Sequence, residues 1–127
     1  MSYTLIDMGS EGFKFNANVW NWKTMLEIIK SWDLLSESKV RQMSYSATGV
    51  KLEANEAHEI GEKIRDEVLP KVPPGKRMYS DLSITDAPDD MTLFKDEDEE
   101  WKNYSVTHDW LKDFSEFCLR SKGFQVF

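Results

Sequence analysis

"THDWLKDFSEFCLRSKGFQVF", Thr107 to Phe127, sets a helix and a strand end to end. Thr107 is a preferred helix N-cap residue, and Asp109 in the first turn meets the positive end of the helix dipole. Trp110, Leu111, Phe114, Phe117 and Cys118 follow at offsets of one, four, seven and eight, the stripe of an amphipathic helix. The spacing predicts a helix from His108 to about Ser121, with Gly123 as its left-handed stop. Beyond it "GFQVF" alternates Phe124 and Val126, the period of a strand. That strand is expected to close against the N-terminal "YTLIDM" or a middle strand.

Upstream, Ala57, Ile60, Gly61, Ile64 and Val68 repeat at helical spacing. They predict a helix from about Asn55 to Leu69, ended by Pro70. Gly61 on its apolar side leaves room for another element to come close. At the other end of the chain, "FNANVWNWKTMLEIIKSW" (Phe15–Trp32) holds three of the five tryptophans. Trp22, Met25, Leu26 and Ile29 form one helical face, widened by Ile28, Trp32 and Leu35. Asn18 is the expected cap, with Asn16 and Asn21 as alternatives, and the end falls near Asp33. Ser36 caps a short helix over Glu37–Gln42. Thr48-Gly49 reads as a turn flanked by Tyr45, Val50 and Leu52, and Met78–Ile84 as a short strand.

Together these give an α+β fold, a single compact domain over residues 1–127. Three main helices are expected, with short strands near Tyr3–Met8, Tyr45–Leu52, Met78–Ile84 and Phe124–Phe127 in a small antiparallel sheet. Residues 86–100 form an acidic loop within it.

Charge narrows the partners. The chain carries 23 acidic and 16 basic residues, a net charge of -7. Such a field repels nucleic-acid backbones and anionic membrane surfaces, so neither is an expected partner. It suits either plain solubility or a basic protein partner. Cys118 is the single cysteine, so no intrachain disulfide forms. The start "MSYTLIDMGSEG" lacks the features of a secretory leader, and a cytoplasmic location is expected.

Several patterns touch on catalytic or metal chemistry and fall short of it. Ser36 and Lys39 have the spacing of a serine–lysine pair, but the lysine lies in no apolar setting that would depress its pKa. His58-Glu59-x-x-Glu62 has glutamate where a zinc-protease helix has its second histidine, so it reads as a solvated helix face. The run Asp96, Glu97, Asp98, Glu99 and Glu100 lacks the spaced oxygens and central glycine of a calcium loop. It reads as a solvated loop or helix start, with Trp101 and Tyr104 turned inward. Cys118 lies on an apolar stripe and is expected to be inert. No catalytic residue, metal or cofactor is assigned.

Trp22 belongs to the core stripe. Trp20, in or just before the first helical turn, and Trp32, at the helix end, flank that core. They join Asp96, Glu97, Asp98, Glu99 and Glu100 as the expected partner-binding residues. A non-enzymatic interaction module is favoured. The alternative is a small-molecule-binding module or small enzyme built on the Trp20, Tyr45 and His58 region.

The motif Asn18-x-Trp20-x-Trp22, the turn Gly49-x-x-Leu52 with Ala57 on the next helix, and the finish "WLKDFSEFCLRSKGFQVF" together resemble a group of small uncharacterised bacterial and phage-associated proteins. Lys23 and Thr24 stand where that pattern has arginine and proline. The resemblance implies a bacterial or phage source; it carries no activity.

Overall fold

The computed structural model describes residues 2–45, 48–87 and 104–127. Strand β1 (Ser2–Asp7) folds back on β2 (Lys14–Asn18), which leads directly into helix α1 (Val19–Trp32). Helix α2 (Glu37–Met43) and strand β3 (Val50–Leu52) follow. Helix α3 (Ala54–Lys63) widens into a π-helical turn over Ile64–Val68. Strands β4 (Arg77–Tyr79), β5 (Ile84–Thr85) and β6 (Ser105–Thr107) precede helix α4 (His108–Arg120) and strand β7 (Phe124–Val126).

The fold is α+β, as expected, but its strands form two antiparallel sheets, not one. The first has the order β2-β1-β7-β3 and the second β5-β4-β6. The C-terminal strand thus pairs with both neighbours proposed for it: Leu5 faces Val126 on one side and Val50 faces it on the other. Strand β2 was hidden in the sequence inside what read as the approach to α1. Phe15 lies opposite Leu5 in that hairpin. Tyr45 is in no strand. Its N–H donates to Gln42 O and prolongs the last turn of α2, so β3 pairs with β7 and not with residues around Tyr45.

The residue 78–84 segment is likewise not one strand. Met78 pairs with Ile84 across a tight turn, and Arg77 pairs with Thr107 on the other side. No glycine or asparagine marks that turn, which is why the stretch read as continuous.

The helix caps follow the sequence closely. Asn18 Oδ1 accepts from Asn21 N–H, Ser36 Oγ from Lys39 N–H, and Thr107 Oγ1 from Trp110 N–H. Gly123 acts differently from expected. Helix α4 gives way to an extended Ser121, and Gly123 turns the chain at φ +92 two residues later. A Cβ there would lie 2.6 Å from Leu52 O, so glycine lets β3 approach β7.

The apolar residues Ile60, Ile64, Val68 and Val72, all buried, recur every fourth position. In an α-helix each such step overshoots the turn by about 40°. The wider turn at Ile64–Val68, closed by Leu69 N–H to Ile64 O at 2.8 Å, takes up that drift and holds the stripe inward. Gly61 lets α4 close in as anticipated: Ser115 Oγ donates to Gly61 O at 2.8 Å, and a Cβ would meet Ser115 O at 3.0 Å.

The core is aromatic. Phe114 meets the rings of Phe15, Trp22, Trp110, Phe117 and Phe124 at 5.2 to 6.4 Å. Trp22 is 1% exposed, and its indole N–H donates to Met43 O at 2.8 Å. Among the described residues, no helix is long and apolar enough to cross a membrane.

Candidate functional site

Helices α1 and α2 splay over Tyr3 of β1 and leave a groove of about 590 Å³. Tyr3, Val19, Trp22, Leu26, Leu35 and Val40 make its apolar floor. Tyr3 OH donates to Ser44 O at 2.8 Å, as the Trp22 indole does to Met43 O. The end of α2 therefore binds both polar tips. Burial also pushes the Tyr3 phenol above its usual range. Around the rim stand Lys23, Lys30 and Arg41 against Glu27, Asp33 and Glu37. The signs balance, and Lys30 and Glu27 pair at 3.4 Å.

The expected partner-binding tryptophans are half-buried at opposite ends of α1. Trp20 packs on Tyr104 at 5.3 Å between ring centres, and Lys23 Nζ sits over the same Tyr104 ring at 5.4 Å. Trp32 packs against the core under Lys63 Nζ, 5.7 Å from its ring centre. Tyr45 is 59% exposed at the end of α2. His58, on the outer face of α3, donates from Nε2 to Ser121 O at 2.8 Å. Trp20 on α1, Tyr45 just past α2 and His58 on α3 are thus on three different parts of the fold, and none of them lines the groove. Residues 88–103 lie outside the described residues, and with them Asp96, Glu97, Asp98, Glu99, Glu100 and Trp101.

Other sequence candidates have structural occupations. Lys39 Nζ donates to both carboxylate oxygens of Glu56, at 2.8 and 3.0 Å, so it serves as an ion-pair cation and not as a base for Ser36. Burial by itself would raise the Glu56 carboxyl. The hydrogen bond from Lys39, the Glu53 N–H and the lysine charge outweigh it and hold the carboxyl below its ordinary value. Cys118 is fully buried, which pushes its thiol well above the ordinary range and leaves it a poor nucleophile. Among the described residues no three His, Cys, Asp or Glu side chains gather to hold a metal ion.

The second sheet holds two features that the sequence reading passed over. Arg77 is only 5% exposed. Its Nε donates to Ala87 O at 2.9 Å, Nη1 to Ser105 Oγ at 3.0 Å and Nη2 to Tyr79 OH at 3.3 Å. The guanidinium also lies 4.9 Å from the Tyr79 ring centre. Buried cations are normally paired with carboxylates. Among the described residues neutral acceptors take that place, and two of them, Ala87 and Ser105, flank the chain between 88 and 103. Arginine's planar fork can reach acceptors in several directions at once, which an ammonium cannot match.

The second feature is Leu82. Its φ is +71, in the left-handed region where an L-residue costs about 1–2 kcal/mol. Residues Ser80, Asp81 and Leu82 form the loop joining β4 to β5. Leu82 N–H donates to Tyr79 O at 2.8 Å, and Tyr79 N–H donates to Ser83 O at 2.8 Å. Three-residue hairpin loops of this kind place glycine at the left-handed position. Leucine stands there instead, 36% exposed, with Ile84 39% exposed beside it. The signal in the sequence was the "SDLS" stretch, where Asp81 and Ser83 are good turn formers and leucine is not.

Comparison of the chain with protein-family models, with curated proteins and with solved structures finds no match.

Proposed function

We propose that this protein is a non-enzymatic interaction module that binds a basic protein, an accessory or immunity protein of a bacterial or phage system. One observation carries the reading. Residues 81–100 hold nine of the 23 acidic residues and one of the 16 basic ones. The remaining 107 residues hold 14 acidic and 15 basic residues, close to neutral. The net charge is therefore concentrated in one segment, where it steers a basic surface toward one place on the molecule. A general need for solubility would be met by charge spread over the surface.

Neutralising Asp96, Glu97, Asp98, Glu99 and Glu100 to Asn and Gln tests this. Immobilised wild type is expected to retain a strongly basic protein from a lysate of the host. The neutralised variant, or wild type at about 0.5 M salt, is expected to lose it, since exposed charges are screened within a few ångströms there. Retention of the same protein by the neutralised variant would refute the reading.

A second reading rests on the groove between α1 and α2. Its volume of about 590 Å³ falls within the range of about 300–1,000 Å³ typical of small-molecule sites. It replaces Trp20, Tyr45 and His58 as the location for a ligand. A thermal-shift screen with metabolites and nucleotides tests it, because binding to the native state must raise the unfolding midpoint.

A further inference from the structure

We infer that the β4–β5 hairpin tip is the docking anchor for that basic partner. Leu82 and Ile84 enter an apolar pocket on the partner, and lysine or arginine residues around the pocket meet Asp81 and Asp86. The inference rests on the interaction reading and assigns it a place.

Three observations on the described residues converge here. Leu82 takes up a left-handed conformation that glycine or asparagine would adopt with less strain. Strain of this sort persists where surrounding structure over-determines it, and it concentrates at binding and switch positions. Here the turn is held by Tyr79 O and Ser83 O, and by Asp81 Oδ1, which accepts from both the N–H and the hydroxyl of Ser83. The conformation is thus fixed before any partner arrives, so docking loses little ordering entropy.

Second, the strained residue is apolar and faces solvent, with Ile84 two positions on also exposed. Neither side chain is buried, whereas the neighbouring strands β4 and β6 turn Met78 and Val106 inward. Third, residues 79–87 carry Asp81 and Asp86 among their charged side chains and no lysine or arginine. An apolar pair ringed by carboxylates complements an apolar pocket ringed by cations. The same charge disfavours a second copy of this chain, whose hairpin would bring like charges together.

The test uses the full chain, a random-peptide display library as probe, and the variants Leu82→Asn and Ile84→Thr. Asparagine tolerates the left-handed turn and threonine suits a strand, so both variants are expected to fold. The melting temperature of Leu82→Asn is expected to stay within about 2 °C of wild type or to rise by up to about 4 °C as strain is relieved. A larger fall means Leu82 is packed into the fold, and overturns the inference. Wild type is expected to select peptides that combine apolar residues with lysine or arginine. Each variant is expected to bind them about tenfold or more weakly, the loss of an anchor residue. Peptides bound equally by both hairpin variants, yet lost on the variant neutralised at 96–100, overturn the hairpin and leave the interaction reading standing. A library yielding no basic peptide overturns both. A wild-type dimer that Leu82→Asn dissociates makes the occupant a second copy and likewise overturns the proposal.

Discussion

Leu5 and Leu82 both belong to β-hairpins, and the two receive opposite treatment. Leu5 is fully buried opposite Phe15, on an inward position of β1. Its alternation, its pairing and its burial all ask for the same residue. Leu82 is exposed and left-handed, where turn chemistry asks for glycine and burial asks for a polar side chain. Arg77, a few residues earlier, is a cation in a position that an apolar or paired residue would ordinarily fill. In the first sheet with α1 and α4, pattern, pairing and burial agree along the apolar stripes, and the departures are the buried Asp7 carboxylate and the buried Thr24 hydroxyl. The second sheet departs from local rules twice within six residues. Sequences that specify a fold are consistent across levels, and their departures gather where function constrains them. The proposed docking anchor lies in the second sheet, and the aromatic core is its support.

The largest effect is expected in that support. Phe114→Ala removes the ring at the centre of the cluster formed with Phe15, Trp22, Trp110, Phe117 and Phe124. It should cost about 3–5 kcal/mol, and Trp22→Ala a similar amount. A domain has only about 5–15 kcal/mol in total, so either variant stands near the unfolding limit. Urea denaturation measures this directly. A loss below about 1 kcal/mol at Phe114 would break the comparison, because the core would then not be the consistent half.

The support was legible for the same reason that it is stable. Periodicity exposed α1, α3 and α4, since each buries one face, and the caps at Asn18, Ser36 and Thr107 are short-range signals. Strand β2 was missed because Phe15 and Ala17 run without a break into a helical stripe. The second sheet was missed because its strands are only two or three residues long, below the length at which alternation can be recognised. Its turn carries leucine at the diagnostic position. Arg77 and Leu82 were hidden for a further reason. A buried arginine and a strained leucine become visible only when burial and dihedral angle are known, and neither has a sequence period.

A smaller effect should sharpen the comparison at Arg77. Truncation to alanine leaves the buried Ser105 Oγ without its arginine donor and removes the guanidinium's bonds to Ala87 O and Tyr79 OH. A loss of about 1–3 kcal/mol follows from leaving buried acceptors unmet. Arg77→Lys should recover less than half of it, since one ammonium cannot span three acceptors spread around a planar fork. Denaturant midpoints for the two variants give the split. Full recovery by lysine would mean that charge alone matters at this position, and that an anion supplies the missing pairing.

The smallest effect belongs to Glu56, on α3, and concerns pH. Glu56 Oε1 accepts from Glu53 N–H at 2.9 Å, the return half of a capping box, and from Lys39 Nζ of α2 at 2.8 Å. Its folded-state carboxyl lies below its ordinary value because these donors outweigh burial. A carboxylate depressed on folding stabilises the native state at pH values above its unfolded pKa, and that contribution disappears as pH falls through the folded value. Glu56→Gln keeps the size and an acceptor oxygen but removes the charge. The variant should therefore be less stable than wild type by roughly 0.5–1 kcal/mol at pH 7, the scale of a partly exposed pair. The gap should stay constant down to about pH 5 and close below the ordinary carboxylate value of about 4.3. Salt should narrow it, and Lys39→Met should narrow it at pH 7 by removing the stronger of the two donors. Stability curves for wild type and Glu56→Gln at a series of pH values decide the matter. A gap that widens as pH falls would reverse the sign, and would place the Glu56 carboxyl among groups that burial, and not the lysine, controls.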